Sequence, residues 1–131
     1  MDESVDLPCT AAQVATARRF VTGLLEDSQR RDEAELLVSE LAGNAVKYSP
    51  SQFGGKFTVR LQRKSGWTRI EVTSLGTGQW ELEIAETDDD SAESGRGLGI
   101  AFLIADRMGH TFDGEHDTVW VEFDEPTNPA D

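Results

Sequence analysis

The sequence is poor in cysteine and in basic residues, and it has no long hydrophobic run. Its single cysteine, Cys9, excludes an internal disulfide. Lys and Arg number 12 against 25 Asp and Glu, so the formal net charge is −13. A chain this acidic lacks the cationic surface that binds nucleic-acid phosphates or anionic lipids. With no apolar run near ~18 residues and no recognisable secretion signal, we expect a cytoplasmic protein without direct nucleic-acid or membrane contact.

The 131 residues fit one domain, residues 1–131, with a single core. Apolar residues make up 37% of the chain, and they fall in segments rather than being spread evenly, which favours a folded body over disorder. The acidic ends, residues 1–8 and 124–131, are expected to be flexible. The charge also favours a protein partner with a basic surface.

Periodicity predicts three helices and two β-hairpins. Helical spacing of apolar residues predicts helices from a Thr10 N-cap to about Glu26 and from about Asp32 to Tyr48. Alternation predicts a hairpin around Lys64 to Gly66 and a closing strand, 118–123, paired with the segment before it. A third helix is predicted after "GRGLG", with a buried face that includes Ala105 and Met108 and an end at Gly109. This order predicts an α+β sandwich, with one sheet and helices on one side.

The stretch "SELAGNAVKYSP" places a carboxylate and an amide four residues apart on the second helix. A helical wheel puts Glu40 and Asn44 together on the flank of the buried stripe, with Lys47 just beyond. Such a pair offers oxygen ligands to a hard cation such as Mg²⁺, and the carboxylate could act as a base. The alternative is that both side chains only face water. Gly43, costly inside a helix, suggests a close approach to the backbone there.

Two glycine-rich stretches add to this signal. "SGRGLGI" leaves backbone N–H groups unshielded just before a predicted helix, an arrangement that suits phosphate binding. It is neither a P-loop nor a dinucleotide fingerprint, because the spacing is GxGxG and no Gly-Lys-Ser/Thr follows. The second stretch, "VTSLGTG", ends a predicted strand, and its alternative is an ordinary exit from that strand.

Taken in order, these motifs resemble those of the GHKL ATPases, the histidine-kinase and Hsp90-like nucleotide-binding fold, and among them the small anti-sigma-factor serine kinases of bacteria. "LLVSELAGNAVKYS" is similar to the family's N box, "VTSLGTG" to its first glycine box, "GRGLGIAFLIADRMG" to its second, and "DTVWVEF" to its closing strand. The likeness covers about residues 11–123. It implies a two-layer sandwich of the Bergerat type, with a mixed sheet.

The resemblance also implies roles for individual residues. Asn44 would hold Mg²⁺ at the phosphates of ATP, and Glu40 would orient or deprotonate the attacking hydroxyl. Thr118 would help to hold the adenine through water. The remaining residues expected to bind the nucleotide come from the helix flank, the strand end and the second glycine box: Lys47, Ser74, Gly76, Gly78, Gly95, Arg96, Gly97, Leu98 and Gly99. The segment from about Gln79 to Ser94 would be the ATP lid.

Two departures from the family pattern count against tight ATP binding. The family reads the adenine amine with an aspartate where this chain has Ser74, and a hydroxyl lacks the charge that strengthens such a bond. Asp117 and the acidic lid residues also put negative charge beside a phosphate site. Arg96, Lys47 or Mg²⁺ would have to offset that repulsion.

Three functional hypotheses follow from the resemblance. The first is a regulatory serine kinase that binds a sigma factor and uses ATP and Mg²⁺ to phosphorylate a STAS-type antagonist. The second is a binding module that keeps the fold but has lost catalysis, which Ser74 and Asp117 favour. The third, the ATPase half of a split histidine kinase, has the least support because no dimerisation helices are evident. Relatives often dimerise through the sheet edge, so a homodimer stays open.

Overall fold

The computed structural model describes residues 1–76 and 104–125. Within these ranges the chain forms one five-stranded sheet, two helices and a single 3₁₀ turn. The elements, in chain order, are β1 (Asp2–Pro8), α1 (Ala12–Leu24), α2 (Arg31–Tyr48), the 3₁₀ turn (Pro50–Gln52), β2 (Lys56–Lys64), β3 (Trp67–Leu75), β4 (Arg107–Phe112) and β5 (His116–Asp124).

The sheet has the order β1-β2-β3-β5-β4. All four described strand pairs are antiparallel, whereas the resemblance implied a mixed sheet. Two tight turns set the hairpins: Gly66 between β2 and β3 has φ 80°, and Gly114 between β4 and β5 has φ 100°. Glycine adopts these positive angles without a steric cost. Both predicted hairpins are therefore present.

One face of the sheet carries the core, and both helices pack on that face. Phe57, Val59 and Leu61 of β2 are fully buried and alternate with more exposed residues, as the period of a strand requires. The predicted apolar stripe of α2 is buried as expected: Ala34, Leu37, Val38, Leu41 and Ala45. Removing each large apolar side chain from water contributes about 1.5 to 3 kcal/mol. The two-layer α+β sandwich is confirmed.

Arg30 fixes the start of α2 against the far end of the sheet. Its guanidinium donates to the main-chain oxygens of Asp124 at 2.8 Å and Ile104 at 3.2 Å. It also pairs with Glu33 at 2.9 Å and lies 5.1 Å from the centre of the Phe123 ring. These contacts fix where α2 begins relative to β5, and therefore the positions of the side chains along the helix.

Three local predictions were wrong. Residues 2–8, expected to be flexible, form β1, which pairs with β2 along its whole length because Val5 and Leu7 have apolar neighbours to pack on. The first helix begins at Ala12, and no side chain caps it, so Thr10 is not its N-cap.

The third error concerns the third helix, which does not extend to Met108. Met108 and Gly109 lie in β4, paired with Val121 and Trp120 of β5. The spacing of the apolar residues Ala105 and Met108 does not distinguish a helix from a strand. The strand forms because the main-chain N–H and C=O groups along the edge of β5 need hydrogen-bond partners.

Candidate functional site

Glu40 and Asn44 lie one turn apart on the flank of α2, both half-buried, as the wheel predicted. Among the described residues, neither the carboxylate nor the amide has a hydrogen-bond partner. Burial raises the pKa of Glu40 above its ordinary 4.5, and the positive charge of Lys47 acts in the opposite direction. Lys47 itself is exposed. The flank therefore presents a proton acceptor and an amide toward open space.

Gly43 lies between these two residues on the same side of the helix. A Cβ built at Gly43 would meet no heavy atom of the described residues within 4 Å. The close approach that the sequence suggested is therefore not made by the described part of the protein itself. The space beside the helix is open at this point, and a ligand could approach the backbone there.

The end of β3 forms the second part of the site. Ser74 is 8% exposed and belongs to the buried set of β3 residues that face the helices. Its register partner across the sheet is Asp117 of β5, so both side chains lie on the helix side. Gly76 follows, and its main-chain N–H donates to the oxygen of Glu115 at 3.0 Å. The structure thus brings Ser74, Gly76 and Asp117 together at one end of the sheet.

Asp117 is held by a residue that the sequence analysis did not single out. His110 of β4 lies with Nε2 2.6 Å from Oδ1 of Asp117, and the two side chains are 17% and 13% exposed. Oδ2 of Asp117 occupies the space that a side chain at position 76 would need, because a Cβ built on Gly76 would overlap the carboxylate. Strand alternation in the segment 107–112 is the signal that would have placed His110 on the same face as Asp117.

Two serines tie the helical part of the site to the strand part. The hydroxyl of Ser49, just after α2, donates to the main-chain oxygen of Leu75 at 2.6 Å. The N–H of Leu75 donates to Oγ of Ser51 at 3.0 Å. The C-terminal end of α2 is thereby fixed to the C-terminal end of β3. Asn44 and Ser74 consequently lie at the same end of the molecule, on facing layers.

Thr118 is not where the resemblance implied. It alternates with Val119 and points to the helix-free face, where its hydroxyl oxygen lies 2.8 Å from that of Thr73. Since Ser74 and Asp117 face the helices, Thr118 cannot share a pocket with them. The structure therefore does not bring Thr118 together with Ser74 and Asp117 on one face of the sheet.

The helix-free face also has a cleft of about 420 Å³ that includes none of the predicted site residues. Its lining comes from β1, from the ends of β2, β3 and β5 and from neighbouring turns: Asp6, Ser51, Lys56, Thr58, Thr73, Leu75, Asp113 and His116.

The second glycine box lies outside the described residues. This applies to six predicted binding residues, namely Gly78, Gly95, Arg96, Gly97, Leu98 and Gly99. Residues 1–76 and 104–125 contain no group of three His, Cys, Asp or Glu side chains that could hold a metal ion alone. They also contain no helix long and apolar enough to cross a membrane.

The site thus has two parts within a two-layer sandwich: a half-buried acid and amide on α2, and a glycine at the end of the central strand β3. The family model of the histidine kinase-like ATPase domain matches residues 7–123. The match covers most of the chain, which therefore belongs to the histidine kinase-like ATPase domain family. No curated protein matched the chain.

The described side chains fit ATP and Mg²⁺, the ligands that this family implies. The amide oxygen of Asn44 is a donor of the kind that Mg²⁺ binds, and the carboxylate of Glu40 lies one turn away. One protein oxygen does not hold Mg²⁺ tightly, so the phosphates of the nucleotide would supply further ligands. The open space beside Gly43 leaves room for such a ligand at the helix flank.

Proposed function

We propose that the chain is an ATP-dependent regulatory serine kinase of the anti-sigma-factor type. It would bind a sigma factor and, with ATP and Mg²⁺, phosphorylate a STAS-type antagonist on serine, in the cytoplasm. The observation that supports this most is the state of Glu40: a half-buried carboxylate with a raised pKa, one turn from Asn44 and without a partner among the described residues.

In this proposal Glu40 and Asn44 have different roles in the transfer of phosphate from ATP to serine. The serine hydroxyl of the antagonist attacks the γ-phosphorus, the bond to the β–γ bridging oxygen breaks, and ADP leaves. Glu40 accepts the hydroxyl proton, and a raised pKa suits a base that must take a proton near neutral pH. Asn44 contributes its amide oxygen to Mg²⁺, which neutralises charge on the phosphates when bound.

The partners are inferred from charge and from the family resemblance. The formal net charge of −13 favours a partner with basic surface. α1 offers a docking surface for the sigma factor, because only one side of it is buried: Ala17 and Val21 are covered, while Arg19 is exposed. α1 itself has no acidic residue, so the attraction to a basic partner would come from exposed acids outside it, such as Glu26 and Asp27. Binding to a sigma factor should weaken as ionic strength rises.

A second candidate is a binding module of the same fold that regulates partners without ATP turnover. Ser74 and Asp117 favour it, because Ser74 stands where the family has its adenine-reading aspartate and Asp117 adds negative charge close by. In this case sigma-factor binding would be independent of ATP.

Nucleotide titration and phosphate transfer separate the two candidates. For the kinase, the wild-type protein with Mg²⁺ should bind ATP in the micromolar range and transfer labelled phosphate to a STAS protein. Glu40→Gln should abolish transfer while leaving ATP affinity within about three-fold, and Asn44→Ala should reduce both. Glu35→Gln, an isosteric change on an exposed turn of the same helix, should alter neither. No binding at millimolar ATP would favour the module, as would binding without transfer.

A further inference from the structure

Ser74 and Asp117 form a small polar site at the end of β3. Ser74 is 8% exposed, and its hydroxyl has no hydrogen-bond partner among the residues that the structure describes. Because no buried side-chain oxygen of the described residues lacks a partner, this unbonded hydroxyl is one that solvent or a ligand can reach. The residue directly opposite in the register is Asp117, so the hydroxyl and the carboxylate lie side by side on the helix side of the sheet.

The two oxygens of Asp117 are in different situations. Oδ1 lies 2.6 Å from Nε2 of His110, which fixes the orientation of the carboxylate. Oδ2 lies over the Cα of Gly76, in space that only a glycine leaves open. Among the described residues no donor reaches Oδ2. Asp117 therefore presents one oriented acceptor oxygen, next to a serine that can donate.

We propose that Asp117, and not Ser74, accepts a hydrogen bond from the exocyclic amine of adenine, while Ser74 donates to the neighbouring ring nitrogen. This inference rests on the proposed ATP-binding function. The carboxylate that the sequence lacks at position 74 is supplied by the adjacent strand, at the register position opposite. The negative charge at Asp117 then favours base binding instead of repelling phosphate.

The arrangement favours adenine over guanine. Adenine presents one amine donor beside one ring-nitrogen acceptor, which matches a single free carboxylate oxygen beside a hydroxyl. Guanine presents two adjacent donors on the same edge, which a carboxylate binds best with both oxygens. Because Oδ1 of Asp117 is engaged by His110, the site has one oxygen for one amine.

The test pairs a change in the protein with a matching change in the ligand. Binding is measured by calorimetry, with Mg²⁺, for ATP, GTP and purine riboside triphosphate, which is adenine nucleotide without the amine. The wild type should bind ATP at least about ten-fold more tightly than the other two, the usual effect of a hydrogen bond to a charged group. Asp117→Asn should bind ATP at most about three-fold more tightly than purine riboside triphosphate, because an uncharged amide oxygen accepts a weaker hydrogen bond from the amine. Thr118→Val, on the same strand but the opposite face, should keep the preference.

A residue swap provides the second arm. Ser74→Asp alone places two carboxylates opposite each other and should not improve ATP binding. The double variant Ser74→Asp with Asp117→Ser exchanges the two side chains and should restore the preference for the amine to within about three-fold of the wild type. If Asp117→Asn unfolds, the swap and the wild-type ligand series still decide the question.

The contrary outcomes are distinct from one another. If the wild type binds ATP and Asp117→Asn keeps a full preference for the amine, Asp117 does not read the base, and its bond to His110 is only structural. Equal or tighter binding of GTP by the wild type also overturns the inference. If the wild type binds none of the three nucleotides, the proposed ATP-binding function fails, and this inference fails with it.

Discussion

Oγ of Ser49 lies 2.6 Å from the main-chain oxygen of Leu75, and this contact joins the end of α2 to the end of β3. Ser49 is 7% exposed, and the same Oγ accepts a hydrogen bond from the N–H of Ser51 at 3.0 Å. One hydroxyl thus satisfies two main-chain groups where the two layers meet. The relative placement of Asn44 and Ser74 depends on it.

Ser49→Ala should destabilise the protein by about 1 to 2 kcal/mol, because it leaves the Leu75 oxygen and the Ser51 N–H without this partner. Thermal unfolding and urea titration would measure the change. Ser39→Ala is the matched control, since Ser39 only donates to Glu35 within α2 at an exposed position. Its effect should stay within about 0.5 kcal/mol. Equal effects of the two substitutions would mean that the contact to Leu75 adds nothing.

Glu40→Gln should make the protein more stable at neutral pH. Burial raises the pKa of Glu40 above 4.5 in the folded state, so its contribution to stability is fully present below pH 4.5 and is lost as the pH rises through the folded pKa. Glutamine keeps the shape and never ionises. The advantage of the variant should therefore be present at pH 7 and shrink as the pH falls toward 4.

Urea titrations of both proteins between pH 4 and 8 would test this, with Glu35→Gln as the exposed control on the same helix. A stability difference that is constant across this range would contradict the buried position of Glu40.

Gly43→Ala should stabilise the free protein by about 1 kcal/mol, because alanine is the better helix former and the new methyl group meets nothing among the described residues. The same methyl group should weaken ATP binding if the nucleotide packs against this turn. Gly23→Ala is the matched control, since Gly23 lies in α1 and its built Cβ also meets nothing within 4 Å.

Thermal shift assays with and without Mg²⁺ and ATP would read both effects of Gly43→Ala. A gain in stability for Gly43→Ala and Gly23→Ala with unchanged ATP affinity in both would exclude ligand contact at this turn.

Thr118→Val should leave ATP affinity within about two-fold of the wild type. Thr118 points to the helix-free face and bonds only to Thr73 among the described residues. The expected loss is about 0.5 to 1.5 kcal/mol of stability, from one partly exposed hydrogen bond. A ten-fold loss of affinity, measured by calorimetry, would show that Thr118 does contribute to the site. Thr58→Val, on the same face of β2, provides a comparison.

The sequence predicts the structure well where one hydrophobic periodicity, that of a helix or of a strand, extends over a whole element. The stripe of α2 and the alternation of β2 are long and regular, so periodicity alone places the helix flank with Glu40 and Asn44 correctly. The hairpins are equally readable, since Gly66 and Gly114 stand at turns that need positive φ. Local patterns of this kind predict an element without any information about distant parts of the chain.

The sequence predicts the structure less well where a contact between distant segments determines the secondary structure or the position of a side chain. β1 becomes a strand because β2 offers it an edge, and β4 takes up Met108 and Gly109, the predicted end of the third helix, because β5 does the same. The family resemblance groups Thr118 with Ser74, whereas the alternation from Val119 places the side chain of Thr118 on the other face of the sheet. Finally, the pairing of Ser74 with Asp117 depends on the register of β3 against β5, two strands that lie far apart in the chain.

The fit between Gly76 and Asp117 constrains how this domain can diverge. Any side chain at position 76 would collide with the carboxylate of Asp117, so position 76 cannot change without strain unless the side chain at 117 moves or becomes shorter. In descendants of this sequence, an aspartate at 117 should occur together with glycine at 76, and a larger residue at 76 should occur only with a shorter residue at 117. Mutational drift at the two codons is therefore expected to be correlated.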